Sequence, residues 1–126
     1  MIKAVAINSI LAQTIHTCMA KKMVLPFSLI ITSMAVRDNL MKGESYYIKE
    51  IKYLNRIIQS LSSDRFVICA IDEILRGTNT EERIRASASV LRYLSDKNCI
   101  AIVASHDLEL TQVLEDIYDN YYFVRK

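Results

Sequence analysis

The sequence predicts an α/β protein whose mainly parallel sheet is covered by helices. Continuous apolar runs at residues 66–71 and 99–105 have the length and composition of strands buried on both faces, which is typical of parallel sheets. Stretches with helical periodicity separate these runs, and strands that alternate with amphipathic helices indicate a layered α/β fold. The 126 residues, 52% of them hydrophobic, suffice for the core of one domain.

The first half of the chain is predicted to contain two helices and one strand. Residues 2–19 lack glycine and proline, and apolar residues recur with helical spacing at positions 4, 5, 7, 11, 12 and 15. Pro26 ends this pattern, and residues 27–34 have the composition of a strand. A second helix is predicted from Ser45, a candidate N-cap, to about Leu61. Its apolar face is predicted to consist of Ile48, Ile51, Leu54, Ile57, Ile58 and Leu61.

The second half is predicted to continue the alternation. A loop at 72–79 precedes a helix from about Thr80 to Ser95. The core-facing residues of that helix are predicted to be Ile84, Ala88, Leu91 and Leu94. After the strand at 99–105, a loop leads into a short helix, and residues 120–126 have the composition of a final strand.

Charge and cysteine content exclude several classes of protein. A net charge of +2 is too small to indicate nucleic-acid binding by charge alone. The three cysteines lack CxxC spacing, which favours buried, reduced thiols in a cytoplasmic protein. Residues 23–36 are uncharged but too short to cross a membrane, and the uncharged residues 4–20 contain several polar side chains. We therefore expect no membrane segment in this chain.

Both apolar strands are followed by polar side chains that could bind a ligand or act in catalysis. The first is followed by Asp72 and Glu73, and the second by Ser105, His106 and Asp107. In a parallel sheet, ligands bind beyond the carboxyl ends of the strands, so neighbouring strands would bring these side chains together. One carboxylate could hold Mg²⁺, largely through its waters. A second could orient or deprotonate an attacking water, and the imidazole could hydrogen-bond a phosphate oxygen.

Purely structural interpretations of the same residues stay open at this point. Two solvated acids at a strand end are common, and His16, in the uncharged first helix, is predicted to be a packed or surface histidine. Ser45 could only cap its helix, or it could bind an anion together with the helix-start amides. The loop at 76–80 predicts a turn and a helix cap at Asn79 or Thr80.

A phosphate-binding loop is not found in the sequence. Nucleoside triphosphatases of this type use GxxxxGK[ST], whose backbone amides and lysine hold the phosphates. The two glycines, Gly43 and Gly77, do not fit that pattern. The residues therefore predict the groups that bind the metal and the attacking water, but not the loop that binds the phosphates. No capping residue precedes Ile2, which indicates that the chain begins inside an element.

Three motifs follow one another along the chain in a specific order. The segment DNLMKGESYYIKEI occupies 38–51, an apolar strand then ends in Asp-Glu at 72–73, and RGTNT follows at 76–80. The next strand ends in Ala-Ser-His at 104–106. This combination resembles the ATPase domain of the MutS mismatch-repair family, which has Asp-Glu, a Gly-Arg-Gly-Thr-Ser-Thr-like loop and Ala-Thr-His in this order. The opening IKAVAINSILAQ, at 2–13, is similar to the helix directly after that family's phosphate loop.

The resemblance implies a fold and a parent protein. It implies a three-layer, P-loop NTPase-like fold of the ABC-ATPase type that lacks the N-terminal strand and the phosphate loop. Residues 1–126 would then be a partial MutS-like ATPase domain, whose parent hydrolyses ATP with Mg²⁺ and acts in DNA mismatch repair or a related DNA transaction. DNA would bind through domains outside this chain, and the chain alone would bind ATP weakly or not at all.

The resemblance also implies roles for individual residues. Asp72 would support Mg²⁺, Glu73 would polarise the hydrolytic water, and His106 would sense the γ-phosphate. Ser45 would act in trans on ATP bound by the partner subunit of a homodimer. Asn79 would lie near that dimer interface. The chain departs from the family pattern at three positions, where Leu75 replaces glycine, Asn79 replaces serine and Ser105 replaces threonine.

Two other functions compete with ATP hydrolysis. The chain could be a non-catalytic interaction domain that keeps the fold for dimerisation. It could also be a Mg²⁺-dependent phosphohydrolase or nuclease that uses Asp72, Glu73 and Asp107.

Overall fold

The computed structural model describes residues 1–34, 46–61 and 64–123. Helices and strands alternate along this described part of the chain, which confirms the predicted α/β class. In chain order the elements are α1 (Ile2–Thr14), β1 (Ser28–Ser33), α2 (Tyr46–Ser60), β2 (Phe66–Asp72), α3 (Thr80–Ser95), β3 (Cys99–Ala104) and α4 (Leu108–Val113).

The three strands form one parallel sheet with β2 in the centre. Ser33 at the end of β1 is in register with Ile71, and Asp72 at the end of β2 is in register with Ala104. Because β2 and β3 are parallel and end at the same level, the residues that follow Asp72 and Ala104 meet at one edge of the sheet. The sheet thus positions the candidate site.

Helices cover both faces of this sheet, which gives three layers. On one face, Ile2 and Ala6 of α1 pack with Ala70 of β2. On the other face, α2, α3 and α4 enclose a larger cluster that includes Val67 and Ile71 of β2. Each fully buried leucine or isoleucine contributes about 1.5–3 kcal/mol, so the larger cluster supplies most of the folding free energy from burial.

Helix α3 follows its sequence pattern closely. The side chain of Asn79 accepts a hydrogen bond from the backbone N–H of Glu82 at 3.0 Å and caps the helix. Two acidic residues in the first turn complement the positive end of the helix dipole. The residues predicted to face the core are all buried, namely Ile84, Ala88, Leu91 and Leu94.

Helix α1 is shorter than predicted, and only part of its surface is buried. It ends at Thr14 rather than near residue 19, and it buries Ile2, Ala6 and Ser9. Ile7, one of the apolar residues with helical spacing, is exposed. The apolar residues of this helix are distributed around its whole circumference, so their periodicity alone does not indicate which face packs on the sheet.

Helix α2 confirms its predicted extent within the described residues, but part of its predicted apolar face is wrong. Leu54 and Ile57 are buried as expected, whereas Ile48 and Ile51 are 45% and 40% exposed. The core-facing row of this helix instead begins at Glu50, one turn before Leu54. An acidic residue therefore takes the buried position at the start of this row, and the predicted Ile48 and Ile51 do not.

The strands match their predictions in position, although β3 is less buried than expected. Residues 67–71 of β2 are buried on both faces of the sheet, as predicted. In β3, Ile100 is 49% exposed, because β3 lies at the edge of the sheet within the described residues. Of the predicted final strand, residues 120–123 form no strand, and 124–126 lie outside the described residues.

All three cysteines are free thiols, as predicted. Cys69 is buried, whereas Cys18 and Cys99 are partly buried. Burial, with a smaller contribution from Cys99, raises the pKa of Cys69 to about 12. Burial also raises the pKa of Cys99. No helix in the described residues combines the length and apolar character needed to cross a membrane.

Candidate functional site

The turn after β2 places Glu73 at the carboxyl edge of the sheet. The backbone N–H of Glu73 donates to the carbonyl oxygen of Ala104 at 2.9 Å, which ties this turn to the end of β3. Glu73 has φ of 57° and Leu75 has φ of 56°, both in the left-handed region that residues with a Cβ rarely adopt. Strain of this kind costs about 1–3 kcal/mol per residue and concentrates at functional sites.

Each carboxylate oxygen of Glu73 contacts a different side chain. Nδ1 of His106, which follows β3, lies 3.0 Å from Oε1 of Glu73. An ionised carboxylate only accepts, so Nδ1 of His106 donates in this contact. Oε2 of Glu73 forms an ion pair with the Arg76 guanidinium. The two oxygens of this carboxylate thus face a histidine on one side and an arginine on the other.

The loop after β3 is held by an ion pair with α3. Nε and Nη2 of Arg83 donate to the two carboxylate oxygens of Asp107 at 3.0 and 2.8 Å. The backbone N–H of Asp107 donates to Oγ of Ser105 at 3.1 Å. These contacts fix the residues on both sides of His106, so the imidazole is presented from a rigid loop.

Helix α2 holds the loop after β2 through a buried glutamate. Glu50 is 8% exposed, and its two carboxylate oxygens accept hydrogen bonds from the backbone N–H groups of Arg76 and Gly77, each at 3.0 Å. A Cβ on Gly77 would lie 2.8 Å from Cβ of Tyr47. Glycine is therefore required where the first turn of α2 packs on the loop. Burial, followed by the charge of Glu50, raises the pKa of Tyr46.

A cleft of about 240 Å³ opens at this edge of the sheet. Acidic, basic and hydroxyl side chains line this small cleft. The basic groups suit a negatively charged ligand, and the acidic groups could act on a water beside it. Its lining residues are Glu73, Ile74, Arg76, Arg83, Ser105, His106 and Asp107.

Asp72 is the last residue of β2 and is partly buried. Within the described residues, no group of three or more His, Cys, Asp or Glu side chains could hold a metal ion. Mg²⁺ does not need such a cage, because it keeps several waters and binds one or two carboxylates together with substrate phosphates. Asp72 and its neighbour Glu73 are compatible with that smaller requirement.

The structure thus brings together some of the residues that the sequence singled out. Glu73 and His106 are in contact, and Asp72 lies beside them in the chain. Asn79 caps α3. Ser45 lies outside the described residues. His16 is exposed, in agreement with its interpretation as a surface histidine.

Comparison with known protein families matches the sequence of this chain to one of them. The family model described as MutS domain V matches residues 1–122. The chain belongs to the MutS family. No solved structure was found to be similar to the chain.

Relatives of this MutS-family chain are found in bacteria and in a fungus. The DNA mismatch repair protein MutS of Pseudothermotoga lettingae is 32% identical over 120 residues, which cover 94% of this chain and 14% of that protein. MutS of Thermotoga neapolitana is 33% identical over 89% of the chain and 14% of its own length. The DNA mismatch repair protein msh-3 of Neurospora crassa is 33% identical over 91% of the chain and 10% of its length. The chain thus spans about a seventh of the MutS proteins it matches.

Leu75 in this MutS-family chain adopts a backbone conformation that favours glycine. The resemblance drawn from the sequence expects glycine at this position, and the φ of 56° at Leu75 is one that glycine adopts without strain. Its side chain is 3% exposed and belongs to the larger core cluster. Burial of a leucine, about 1.5–3 kcal/mol, offsets the backbone cost of that conformation.

Two contacts of the site were not predicted from the sequence. Glu50 carried a usable signal, because an acidic residue one turn before Leu54 interrupts the core-facing row of α2. The pairing of Arg83 with Asp107 carried no such signal. It joins residues 24 positions apart, and only the packing of α3 beside β3 brings them together.

Proposed function

We propose that this chain forms part of an ABC-type ATPase domain with a P-loop NTPase-like fold, in a longer protein that hydrolyses ATP. The observation that carries the proposal is the 3.0 Å contact between Glu73 and His106, from the carboxyl ends of two neighbouring parallel strands. Ligands bind at that edge in open α/β sheets. Membership of the MutS family supports a task in DNA mismatch repair or a related DNA transaction.

In this proposal, Glu73 is the residue that polarises the hydrolytic water. Its side chain lines the cleft at the carboxyl edge of the sheet, where a carboxylate can orient and deprotonate a water. The 3.0 Å contact with Nδ1 of His106 orients Oε1 of Glu73. His106 then hydrogen-bonds the γ-phosphate, where charge develops during phosphoryl transfer.

Asp72 is proposed to hold Mg²⁺ beside Glu73. The metal would supply charge neutralisation on the phosphate oxygens. The described residues offer too few ligands for a complete protein site, which suits an ion that shares its coordination with nucleotide and water. This role leaves Asp72 as a binding residue and Glu73 as the group that acts on the water.

The remaining proposals concern partners and location. The longer protein is proposed to form a homodimer through the nucleotide face, with Ser45 acting in trans and Asn79 near the interface. DNA contacts are assigned to segments outside these residues. The three free thiols are consistent with a reducing compartment, and we propose the cytoplasm.

Substitution of Glu73 tests the proposal in the longer protein that carries this segment. Glu73→Gln keeps the shape of the side chain but removes its basicity. We expect Mg²⁺-dependent phosphate release to fall by about 10²-fold or more, because general-base catalysis contributes on that scale. Affinity for ATP, measured by titration of labelled nucleotide, should change little, because Glu73 is proposed to contact water rather than nucleotide.

A matched substitution separates this effect from a general loss of charge. Glu109 is exposed in α4, and Glu109→Gln should leave phosphate release unchanged. If the wild-type protein shows no Mg²⁺-dependent turnover and Glu73→Gln leaves biological activity unchanged, the chain is an interaction domain that keeps this fold for dimerisation, and the ATPase proposal fails. Turnover that is present but unchanged in Glu73→Gln would refute the role of Glu73.

One contact disfavours the third function considered from the sequence, a Mg²⁺-dependent phosphohydrolase or nuclease that uses Asp72, Glu73 and Asp107. Both carboxylate oxygens of Asp107 already accept hydrogen bonds from Arg83. Removing them from that ion pair to bind a metal would leave Arg83, only 17% exposed, without its partner.

A further inference from the structure

A buried carboxylate on α2 contacts the turn that carries the proposed catalytic residue. Glu50 accepts one hydrogen bond at each oxygen, from the consecutive amides of Arg76 and Gly77, and both distances are 3.0 Å. Hydrogen bonds to an ionised acceptor are roughly twice as strong as neutral ones. A carboxylate that is 8% exposed is costly to bury, so these two bonds are the compensation that keeps it there.

Close packing joins α2 and the turn into one unit. A Cβ on Gly77 would meet Cα of Tyr47 at 2.9 Å and its backbone nitrogen at 3.1 Å. Backbone atoms of the first turn of α2 therefore lie directly against the turn. Movement of either element would break both the Glu50 bonds and this contact.

The same turn orients the proposed catalytic carboxylate. Arg76, whose amide is bound by Glu50, forms an ion pair with Glu73 through its guanidinium. Glu73 in turn contacts His106 at 3.0 Å. A continuous set of contacts therefore runs from α2 through Arg76 to Glu73 and His106.

We propose that Glu50 is a positioning residue for ATP hydrolysis, which fixes the backbone of Arg76 and Gly77 so that Arg76 orients Glu73. The inference rests on the proposed ATPase function. Glu50 is separated from Glu73 by Arg76, so it acts through that residue and touches neither water nor nucleotide. It also couples the orientation of α2 to the geometry of Glu73.

Two substitutions of Glu50 test the inference in the longer protein that carries this segment. Glu50→Ala removes both acceptors. Glu50→Gln keeps the size and one acceptor, but places an amide N–H₂ against a backbone N–H. We expect kcat to fall by about 10- to 100-fold in Glu50→Ala, and by less in Glu50→Gln, because small misplacements of catalytic groups have effects of this size. KM for ATP should stay within about twofold, since no nucleotide contact is removed.

A second measurement reports the contact without reference to catalysis. Amide hydrogen exchange at Arg76 and Gly77 should accelerate by about tenfold or more in both variants, because the charged acceptor of these amides is removed or weakened. Asn55 is exposed on the same helix, and Asn55→Ala serves as the control that should change neither kcat nor exchange. Turnover is expressed per folded molecule, so that a loss of stability alone does not lower kcat.

The possible outcomes separate the inference from the function on which it rests. A wild-type protein without Mg²⁺-dependent turnover overturns the proposed function, and the positioning role with it. A wild-type protein that hydrolyses ATP, together with both Glu50 variants at wild-type kcat, overturns the positioning role alone. If Glu50→Ala does not fold, Glu50→Gln decides the question.

Discussion

The ion pair between Arg83 and Asp107 should contribute measurably to folding stability, and Arg83→Met tests this expectation. Two hydrogen bonds, of 3.0 and 2.8 Å, join the guanidinium to the two carboxylate oxygens. The side chains are only 17% and 13% exposed. Methionine keeps most of the length and apolar contact of arginine but has no donor, so the change isolates the loss of the ion pair.

The expected magnitude follows from the geometry. Hydrogen bonds to charged groups contribute about 1.5–3 kcal/mol each, and breaking a fully buried pair costs about 3–5 kcal/mol. Two features lower the cost here. Some water reaches Asp107, and Oγ of Ser105 remains 3.5 Å from its Oδ2 as an alternative donor. We therefore expect the free energy of unfolding to fall by about 2–3 kcal/mol.

Urea unfolding of the 126-residue chain, followed by circular dichroism, measures this change. Asp107→Asn and the double variant complete a thermodynamic cycle, whose coupling energy should be about 1–2 kcal/mol. Arg85→Met is the matched control on the same helix. Arg85 pairs with Glu81, but these side chains are 79% and 75% exposed, so its loss should cost less than about 0.5 kcal/mol.

Equal effects of Arg83→Met and Arg85→Met would refute this reasoning. So would a coupling energy near zero between Arg83 and Asp107. Either result would mean that partial solvent access screens the pair to the level of a surface ion pair, in spite of its two short hydrogen bonds.

Three further predictions concern the packing around the site and the core. Gly77→Ala should lower the free energy of unfolding in urea by about 1–3 kcal/mol, because its Cβ would lie 2.8 Å from Cβ of Tyr47. Asn79→Ala should lower it by about 1 kcal/mol through loss of the α3 cap. Burial raises the pKa of Tyr118 from 10.0 to about 12, so its contribution to stability is complete below pH 10 and is lost as the pH rises towards 12. Tyr118→Phe should therefore flatten the decline in stability over that pH range.

Each of these three predictions has a control and a contrary result. Wild-type stability in Gly77→Ala would mean that α2 and the loop separate without cost. Asn79→Asp should restore most of the stability lost in Asn79→Ala, because aspartate also caps helices, and failure to do so would assign the loss to another contact. Tyr121 is 79% exposed, so Tyr121→Phe should leave the alkaline decline as in wild type. An unchanged decline in Tyr118→Phe would contradict the assigned cause.

Much of the fold follows from local sequence patterns, and the exceptions have a common physical origin. The strands β1, β2 and β3 were found within one or two residues of their predicted limits, because apolar runs bounded by polar turns identify buried strands. The face of α1 that packs on the sheet was not predicted, and the helix is shorter than its apolar pattern indicated. Apolar residues surround that helix, so the choice of Ile2 and Ala6 is made by the shape of the sheet rather than by the periodicity.

The candidate site was predictable only in part for a similar reason. The proximity of Glu73 and His106 follows from parallel strands that end at the same level, which sequence order indicates. The contact of Glu50 with the turn after β2 depends on the packing of α2, 26 residues away in the chain. Tertiary packing decides which side chains meet over such a distance in the chain. The sequence indicates only that an acidic residue interrupts the core-facing row of α2.

The uneven burial of the three cysteines makes this chain selective towards thiol reagents. Alkylating reagents attack the thiolate, and burial raises the pKa of Cys69 and Cys99, which lowers their thiolate fractions. Cys18 follows α1 and keeps partial solvent access. A maleimide fluorophore at neutral pH should therefore attach at Cys18 before the other two. That places an optical reporter next to the end of α1 without any engineered residue, and peptide mass mapping of the labelled chain would verify its location.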